Sequence, residues 1–377
     1  MNGVNLAGYL QAASGVSEIA RGSESALARA GIPVARVPLD QDYGENAVFG
    51  RIHHPEGMPF GVTLVHANAP EAEPVLGTFP RAVTAGGLTV GYWFWELAEF
   101  PAALADRFRH FDEIWAPSRF CRDAFVQRSP VPVRLVPPHV PRRHPVAAER
   151  ERFGLERDRF YFFTAFDGQS IADRKNAAGA LEAFARACRR SERRIGLFVK
   201  TQRAYLDARY AAQLREAAAE LPVVWFDGTA SRAEVDRMIV CSDAILSLHR
   251  SEGLGLLPIE GLRGGKPVVA TAYGGTTDYL DDGTSFPVGF ALQRVGAGHE
   301  PYPEDAVWAS PDIDHAVHQI LRVVKDDAEV RRRTANGGTR VEQLYGLESA
   351  AARFAREAGR LFDMLRLRDG AVVHAGV

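Results

Sequence analysis

Short apolar runs alternate with helical patterns along most of this sequence, and one proline-rich stretch interrupts the alternation. At the start, apolar runs at residues 4–10 and 32–37 flank a helical pattern that closes at Gly31. Such an opening predicts a β-α-β unit, in which a helix joins two parallel strands. The first half holds four more strand-length runs, with a helical pattern over 118–126 between the last two: residues 62–65, 88–93, 113–115 and 133–136.

The proline-rich stretch runs from Pro137 to Pro145 and contains four prolines, so neither a helix nor a central strand can continue through it. We interpret it as a linker between two domains. After it the alternation restarts, and Ser231 and Glu234 have the spacing of a capping box at the start of one helix. A second sheet is therefore predicted, with strands at residues 161–166, 195–199, 223–226, 244–248 and 267–270.

The sequence thus predicts an α/β protein with two Rossmann-like domains and mostly parallel sheets, the first over residues 1–145 and the second over residues 146–346. A length of 377 residues agrees with this division, because a single α/β core rarely grows so large. Residues 347–377 lie beyond the second sheet, and we expect a helix there to pack back toward the first domain. Its apolar positions follow a helical period: Ala350, Phe354, Ala358, Leu361 and Leu365.

Charge and cysteine content exclude several function classes. Lysine and arginine number 45 against 47 for aspartate and glutamate, so no overall field attracts nucleic acid, and none is expected as a partner. The three cysteines form no CxxC pair and no zinc-like cluster, which argues against disulfides and a structural metal. The N-terminus lacks a signal-peptide pattern, and no run reaches ~18 apolar residues. We therefore expect a cytoplasmic protein, with peripheral association at the inner face of a membrane left open.

The most informative segment is residues 251–271, where a predicted strand passes into a helix. Ligands of doubly wound sheets bind at such strand ends. Gly253 and Gly255 let the backbone approach a ligand closely, and the amides at the following helix N-terminus suit a diphosphate. Glu252 and Glu260 flank this anion site, and a carboxylate beside phosphate needs other partners, for which sugar hydroxyls are suited. The segment therefore fits a nucleotide sugar better than a bare nucleoside triphosphate.

Seven residues separate Glu252 from Glu260, and the strand 265–271 and the pair Gly274–Gly275 follow. This arrangement resembles the donor-site signature of family 4 retaining glycosyltransferases, of the group 1 type. The resemblance extends over most of the chain and implies the GT-B fold, in which two Rossmann-like domains face a deep interdomain cleft. It implies that Glu252 contacts the transferred sugar and that Glu260 holds the ribose hydroxyls. It adds four donor contacts: Gly253, Leu254, Gly255 and Leu256.

A second element, residues 166–176, resembles the loop in which this family places an arginine and a lysine against the donor diphosphate. Arg174 and Lys175 would stabilise the negative charge that grows on the departing diphosphate, so with Glu252 they are the catalytic candidates. The family commonly separates the two cations, whereas here they adjoin, and Lys200 at a neighbouring strand end is the alternative to Arg174. Because these cations and the helix amides supply positive charge, neither a metal nor another cofactor is expected. The remaining donor candidates lie in this loop and in a turn that resembles the family's base-binding turn: Asp167 and Gly228.

The first domain offers further candidates. Gly15 lies between the first strand and helix, where the family has a glycine-containing loop that closes over the donor phosphates or the acceptor. Residues 91–97 resemble a bacterial branch that works on surface polysaccharides. At this strand end Trp95 and Glu96 stand where the family often has a histidine, and both are candidate acceptor or sugar contacts, with core packing equally expected for the aromatic ring. His66 ends another strand and is a further contact candidate, although a satisfied structural histidine is the favoured interpretation.

Together these observations predict transfer of a hexose from a nucleoside-diphosphate sugar to a glycan or lipid-linked glycan, and the resemblance implies retention at the anomeric carbon. The setting that the resemblance implies is bacterial surface-polysaccharide synthesis, and GDP- and UDP-hexoses are the favoured donors. Two alternatives stay open. A GT-B-like epimerase would interconvert a nucleotide sugar without an acceptor, and a two-lobed sugar-binding module would perform no chemistry.

Overall fold

The computed structural model of the chain describes residues 2–12, 14–39, 58–77, 79, 86–141, 147–203, 207–325 and 327–374, except for the side chains of residues 169, 327 and 369–374. The chain divides into two compact units. One comprises Met1–Pro141 and Leu344–Val377, and the other comprises Arg142–Gln343. The boundary therefore falls in the proline-rich stretch, whose residues 142–145 lie outside the described ranges. The last 34 residues, 344–377, belong to the first unit.

A six-stranded sheet forms the centre of the first unit, in the order β2-β1-β3-β4-β5-β6, and its described pairings are all parallel. Two of its helices begin at Ser14 and Ser118, whose hydroxyls accept hydrogen bonds from the amides of Ser17 and Cys121. The predicted strands of this half are thus confirmed. They are β1 (Val4–Gly8), β2 (Val34–Pro38), β3 (Val62–His66), β4 (Leu88–Tyr92), β5 (Glu113–Ala116) and β6 (Val133–Leu135). The helices are Gly15–Arg29, Ala69–Gly77, Arg119–Val126 and the 3₁₀ segment Ala102–His110.

The C-terminal helix, Leu347–His374, packs against the sheet of this first unit. Phe354 meets the ring of Trp115 edge to face, with 5.4 Å between the ring centroids. Glu113 on β5 is only 1% exposed, and its carboxylate accepts hydrogen bonds from the Trp115 indole at 2.7 Å and from Arg360 at 2.5 Å. A buried carboxylate is costly unless it is paired, so this contact fixes the helix against β5.

The second unit contains another six-stranded sheet, in the order β12-β11-β10-β7-β8-β9, again with parallel pairings. The capping box is confirmed, since Ser231 and Glu234 each bond to the other's backbone amide. The strands are β7 (Phe160–Asp167), β8 (Ile195–Gln202), β9 (Val223–Asp227), β10 (Ala244–Ser247), β11 (Val268–Thr271) and β12 (Phe286–Val288). The helices are Ala172–Lys175, Ala177–Cys188, Ala208–Ala217, Arg232–Cys241, Leu256–Arg263, Ile313–Lys325 and Asp327–Tyr345, with 3₁₀ segments at Arg150–Phe153, Gly168–Ser170 and Gly274–Asp278.

The sequence did not predict β12, nor an antiparallel hairpin of β13 (Phe290–Arg294) and β14 (Val307–Pro311). The β13 strand is short, and its apolar residues Phe290 and Leu292 lie exposed rather than in the core. Among the helices described in both units, none combines the length and the apolar character that crossing a membrane requires.

Candidate active site

The two segments that carry the strongest candidate residues follow the carboxyl ends of β7 and β10. These strands pair in parallel, so the loops that follow them leave the sheet at the same edge. The loop after β7 carries Arg174 and Lys175, and the segment after β10 carries Glu252. Ligands of such sheets bind outside this edge.

Glu252 lies between the two cations. Arg174 Nη1 is 3.3 Å from Glu252 Oε2 and also donates to the Ser251 carbonyl at 2.9 Å, while Lys175 Nζ is 2.5 Å from Glu252 Oε1. Burial by itself would raise the pKa of Glu252, but the charges of Lys175 and Arg174 outweigh it and lower that pKa from 4.5 to about 2. The cluster is therefore ionised, with two positive charges and one negative charge.

A sharp bend in the chain explains how two adjacent cations reach one carboxylate. The short helix Ala172–Lys175 ends at Asn176, whose φ of +51° is left-handed, a conformation that asparagine tolerates better than most residues. The Asn176 side chain donates to the Leu248 carbonyl at 2.8 Å and caps the next helix by accepting from Gly179 N at 3.2 Å. The bend is thus anchored to the end of β10, and Arg174 and Lys175 both contact Glu252.

The helix Leu256–Arg263 begins beside this cluster. Its first residue follows Gly255, which has a φ of +81° and provides no side-chain cap. A Cβ added to Gly255 would lie 2.5 Å from Thr276 Cγ2, and the Tyr279 hydroxyl donates to the Leu254 and Gly255 carbonyls at 3.0 and 2.7 Å. The first amides of a helix have no partner within the helix, so this N-terminus offers donors to an anion.

The backbone of Glu252 is fixed by the glycine pair after β11. Gly275 N donates to the Glu252 carbonyl at 2.7 Å. Gly274 has a φ of +85°, and a Cβ there would lie 2.6 Å from the same carbonyl oxygen. Only glycine therefore allows this approach of the two loops.

His249 is a buried residue that the sequence analysis did not single out. Its Nδ1 lies 3.1 Å from Ser247 Oγ, and its Nε2 lies 3.2 Å from the Tyr273 carbonyl. Burial lowers the pKa of His249, although Glu252 and the bond to Tyr273 oppose this change. A neutral imidazole can accept from the hydroxyl and donate to the carbonyl, so it ties the end of β10 to the loop after β11. The signal available in the sequence was a polar residue directly after a buried strand.

Glu260 pairs with a different cation. Arg232 Nη2 donates to Glu260 Oε1 at 2.7 Å, and Arg232 also lies 3.4 Å from Asp236. Burial raises the pKa of Glu260, while the charge of Arg232 opposes that rise. Glu252 and Glu260 therefore pair with different cations.

The remaining donor candidates lie at neighbouring strand ends. Asp167, at the end of β7, forms a two-pronged ion pair with Arg203, with Nε to Oδ1 at 2.9 Å. Lys200 is buried and donates to Gln202 Oε1 at 2.8 Å, whereas Arg174 and Lys175 contact Glu252. Burial lowers the pKa of Lys200. Gly228 follows β9 with a φ of +120° and donates to the Thr201 carbonyl at 3.0 Å.

The unpredicted hairpin also touches the loop that carries the cations. His299 lies between its strands, and His299 Nε2 is 3.0 Å from Asp173 Oδ2. The Arg250 guanidinium lies over the Trp308 ring at 5.8 Å, and the Arg250 carbonyl accepts from Ala309 N. No group of three or more acidic, histidine and cysteine side chains that could hold a metal occurs within the described part of the chain.

In the first unit, His66 ends β3 and is completely buried. Its ring stacks on Tyr92 with centroids 4.6 Å apart, and burial lowers its pKa from 6.5 to about 3. Neither ring nitrogen has a hydrogen-bond partner among the described residues. This burial agrees with the expectation of a structural histidine, although no described residue satisfies its ring nitrogens.

The other first-unit candidates differ in exposure. Trp95 is 3% exposed, its indole donates to the Glu99 carbonyl at 2.8 Å, and its ring packs on Phe100. The structure thus places Trp95 in the core, which was the alternative to a sugar contact. Glu96 is partly exposed, and Gly15 is the exposed first residue of its helix.

Residues 168–341 match the family model described as glycosyl transferases group 1. Among solved structures, HepE from Anabaena, in complex with UDP and glucose, is 13% identical with a TM-score of 0.68, covering 96% of this chain and 100% of the other. Sucrose-phosphate synthase from Thermosynechococcus elongatus is 16% identical with a TM-score of 0.67, covering 97% and 100%. A glycosyltransferase from Rickettsia africae is 13% identical with a TM-score of 0.68, covering 95% and 97%.

No curated protein matches the sequence significantly. The structural matches are too distant in sequence to establish more than the fold, which is GT-B. Residues 168–341 are thus similar to the group 1 glycosyl transferases, and the chain shares the GT-B fold.

Proposed function

We propose that this chain transfers a hexose from a nucleoside-diphosphate sugar to a hydroxyl of a glycan or lipid-linked glycan, with retention at the anomeric carbon. The observation that supports this function best is the cluster of Glu252 with Arg174 and Lys175, beside the helix N-terminus at Gly255. Cations and helix amides bind a diphosphate, and a carboxylate next to them accepts hydrogen bonds from sugar hydroxyls. A nucleotide sugar contains both groups in one molecule.

In this scheme the bond between the anomeric carbon and the diphosphate oxygen breaks, and negative charge grows on the diphosphate. Arg174, Lys175 and the amides of the first helical turn stabilise that charge. The acceptor oxygen bonds to the same face of the sugar, and its proton passes to the departing diphosphate. Glu252 accepts from hydroxyls of the transferred sugar, and Glu260 accepts from the ribose hydroxyls.

We further propose that the reaction needs no metal and no other cofactor, because the cations and helix amides occupy the role that a divalent ion would have at the diphosphate. The test is transfer measured during an EDTA titration. Turnover should persist at all EDTA concentrations. Complete loss that added Mg²⁺ or Mn²⁺ restores would contradict this part of the proposal.

The donor base is tested by a thermal-shift panel of UDP-, GDP-, dTDP- and ADP-sugars, since a ligand that binds only the folded state raises its apparent stability. UDP-glucose is the first choice, because UDP and glucose are named with the similar Anabaena structure. Incubation of the bound donor with and without glycan acceptors then separates transferase from epimerase, which needs no acceptor. The anomeric configuration of the product, read by NMR, tests retention.

The acceptor proposal extends to the cellular setting. We propose action in the cytoplasm, at the inner face of the membrane where lipid-linked glycans are exposed, in surface-polysaccharide synthesis. Cosedimentation with vesicles that carry a lipid-linked glycan tests this. Recovery of the protein in the supernatant under all conditions, together with full activity on free glycans, would favour a free glycan acceptor.

A further inference from the structure

We propose that Glu252 competes with the donor diphosphate for Arg174 and Lys175, so that the site favours a diphosphate joined to a sugar over a bare nucleoside diphosphate. This inference rests on the proposed function and adds a recognition step to it. This competition has a consequence for product release. After transfer, Glu252 pairs again with Arg174 and Lys175 and so displaces the nucleoside diphosphate.

Arg174 and Lys175 share one carboxylate partner, Glu252. Both Oε atoms of Glu252 are engaged, one with Arg174 at 3.3 Å and the other with Lys175 at 2.5 Å. Each cation that turns to a phosphate oxygen must therefore give up, or share, its contact with this carboxylate. Binding of the diphosphate and pairing of Glu252 are coupled through the same two side chains.

Glu252 cannot simply withdraw from the site. Gly275 N holds its carbonyl at 2.7 Å, and the Gly274 backbone packs so closely that a Cβ would lie 2.6 Å from that carbonyl. On its other side Arg174 Nη1 holds the Ser251 carbonyl at 2.9 Å. Because the glycine pair anchors the backbone of Glu252 independently of the cations, its carboxylate stays within reach of whichever anion they bind.

The charges explain the preference for a nucleotide sugar over a bare nucleoside diphosphate. The two cations and one carboxylate leave a single positive charge, and a bound diphosphate brings further negative charge beside Glu252. A largely buried carboxylate that loses its partners is strongly unfavourable. Sugar hydroxyls can donate to it and offset that loss, whereas a bare nucleoside diphosphate has no sugar to do so.

The test compares binding of UDP and UDP-glucose to wild type and to Glu252→Gln by calorimetry, with GDP and GDP-mannose measured in parallel. Glutamine keeps the shape but removes the competing charge. We expect UDP, or GDP if that base is the one bound, to bind the variant about 5- to 30-fold more tightly. The affinity for the nucleotide sugar should change by less than about threefold. Its diphosphate no longer competes with a carboxylate for the cations, but its sugar hydroxyls lose one oxygen acceptor.

Two further variants make the test specific. Glu260→Gln removes an equal charge, but Glu260 pairs with Arg232, so it should not tighten UDP binding. In the double variant with Lys175→Met, the gain from Glu252→Gln should shrink, because one contested cation is gone. Thermal melting of each ligand-free variant establishes that it is folded.

The outcomes separate this inference from the proposed function. Wild type that binds neither nucleotide nor nucleotide sugar overturns the proposed function itself. Wild type that binds UDP or GDP, combined with a Glu252→Gln variant that binds it equally or more weakly, overturns the inference alone, since Glu252 would then only position the cations. Equal tightening in Glu260→Gln also overturns it, because the effect would be a general one of charge.

Discussion

The carboxyl edges of the two parallel sheets have opposite chemistry. At the edge of the second sheet, Glu252 lies ionised between Arg174 and Lys175, and the loops around it are held by glycines with left-handed backbone. At the edge of the first sheet, His66 is buried and neutral, and Trp95 belongs to an aromatic core. An anionic ligand needs opposite charges placed in advance, and such charges leave a pattern in the sequence. A neutral ligand needs only shape and hydrogen bonds.

The two edges also differ in how their polar groups are satisfied without a ligand. The charged groups of the second edge pair with one another, because an isolated buried charge is very unfavourable. The His66 imidazole at the first edge has no hydrogen-bond partner among the described residues, and by remaining neutral it avoids the larger cost of a buried charge. We expect that changes to the charged side chains of the second edge act mainly on chemistry, and that changes to His66 at the first edge act mainly on stability.

The largest expected effect comes from Lys175→Met, which removes a half-buried cation without opening a large cavity. Loss of one group that stabilises developing charge typically lowers kcat about 100- to 1,000-fold. Initial rates of transfer at saturating donor and acceptor measure it. Arg186→Met is the matched control, since Arg186 pairs with Glu182 and Asp314 on the protein surface and should leave kcat unchanged. A Lys175→Met enzyme with more than half of the wild-type kcat would remove Lys175 from the catalytic group.

A second prediction concerns the glycine geometry of the charged edge. Gly255→Ala places a Cβ at a φ of +81° and 2.5 Å from Thr276, whereas Gly265→Ala has a similar φ of +69° with no atom within 4 Å. We expect Gly265→Ala to lower the free energy of unfolding by about 1 kcal/mol, the cost of left-handed backbone. Gly255→Ala should cost about 3 kcal/mol, since overpacking adds to it.

Chemical denaturation of the two glycine variants, followed by circular dichroism, measures this difference. The pair is informative because both residues flank the same helix, Leu256–Arg263, and share the backbone cost. Equal destabilisation would mean that the Thr276 and Tyr279 side chains move aside freely, and that the turn at Gly255 is less fixed than its contacts indicate.

The charged edge was also the part that the sequence predicted best. Arg174, Lys175 and Glu252 follow clear strand patterns, so the sequence sufficed to place them at one edge of the sheet. Their supporting contacts could not be predicted in the same way. His249 bonds to Tyr273, 24 residues away, and such a pairing depends on how the loops after β10 and β11 meet.

At the edge of the first sheet, the sequence could not predict which side chains face a ligand. An aromatic run such as residues 91–97 has the same composition whether it packs in a core or faces a sugar, so Trp95 could be assigned only from its burial. The hairpin of β13 and β14 escaped prediction for a related reason, because its apolar residues do not show whether they are buried: Leu292 is exposed, whereas Trp308 is buried. The fold was therefore predictable from buried elements, whereas the roles of the candidate site residues stay predictions.

The smallest expected effect is at the neutral edge and is read through pH. Burial lowers the pKa of His66 from 6.5 to about 3, so between these values the unfolded chain binds a proton that the folded chain does not. This contribution to stability is fully present above pH 6.5 and is lost as the pH falls toward 3, at up to about 1.4 kcal/mol per pH unit. His66→Phe keeps a ring against Tyr92 and removes the titrating group. We expect the variant to lose stability less steeply between pH 7 and pH 5 in urea titrations.

The slope, rather than the stability at one pH, is the quantity to compare, because the larger ring of phenylalanine can shift the stability at every pH by the same amount. Equal slopes in wild type and His66→Phe would mean that the imidazole gains its proton in the folded protein, against its complete burial. Transfer kinetics of the same variant complete the comparison of the two edges. Unchanged kcat and acceptor KM would assign His66 to packing, while a raised acceptor KM would mean that the unpartnered nitrogens bind a hydroxyl of the acceptor, and that the first edge, too, was built around a ligand.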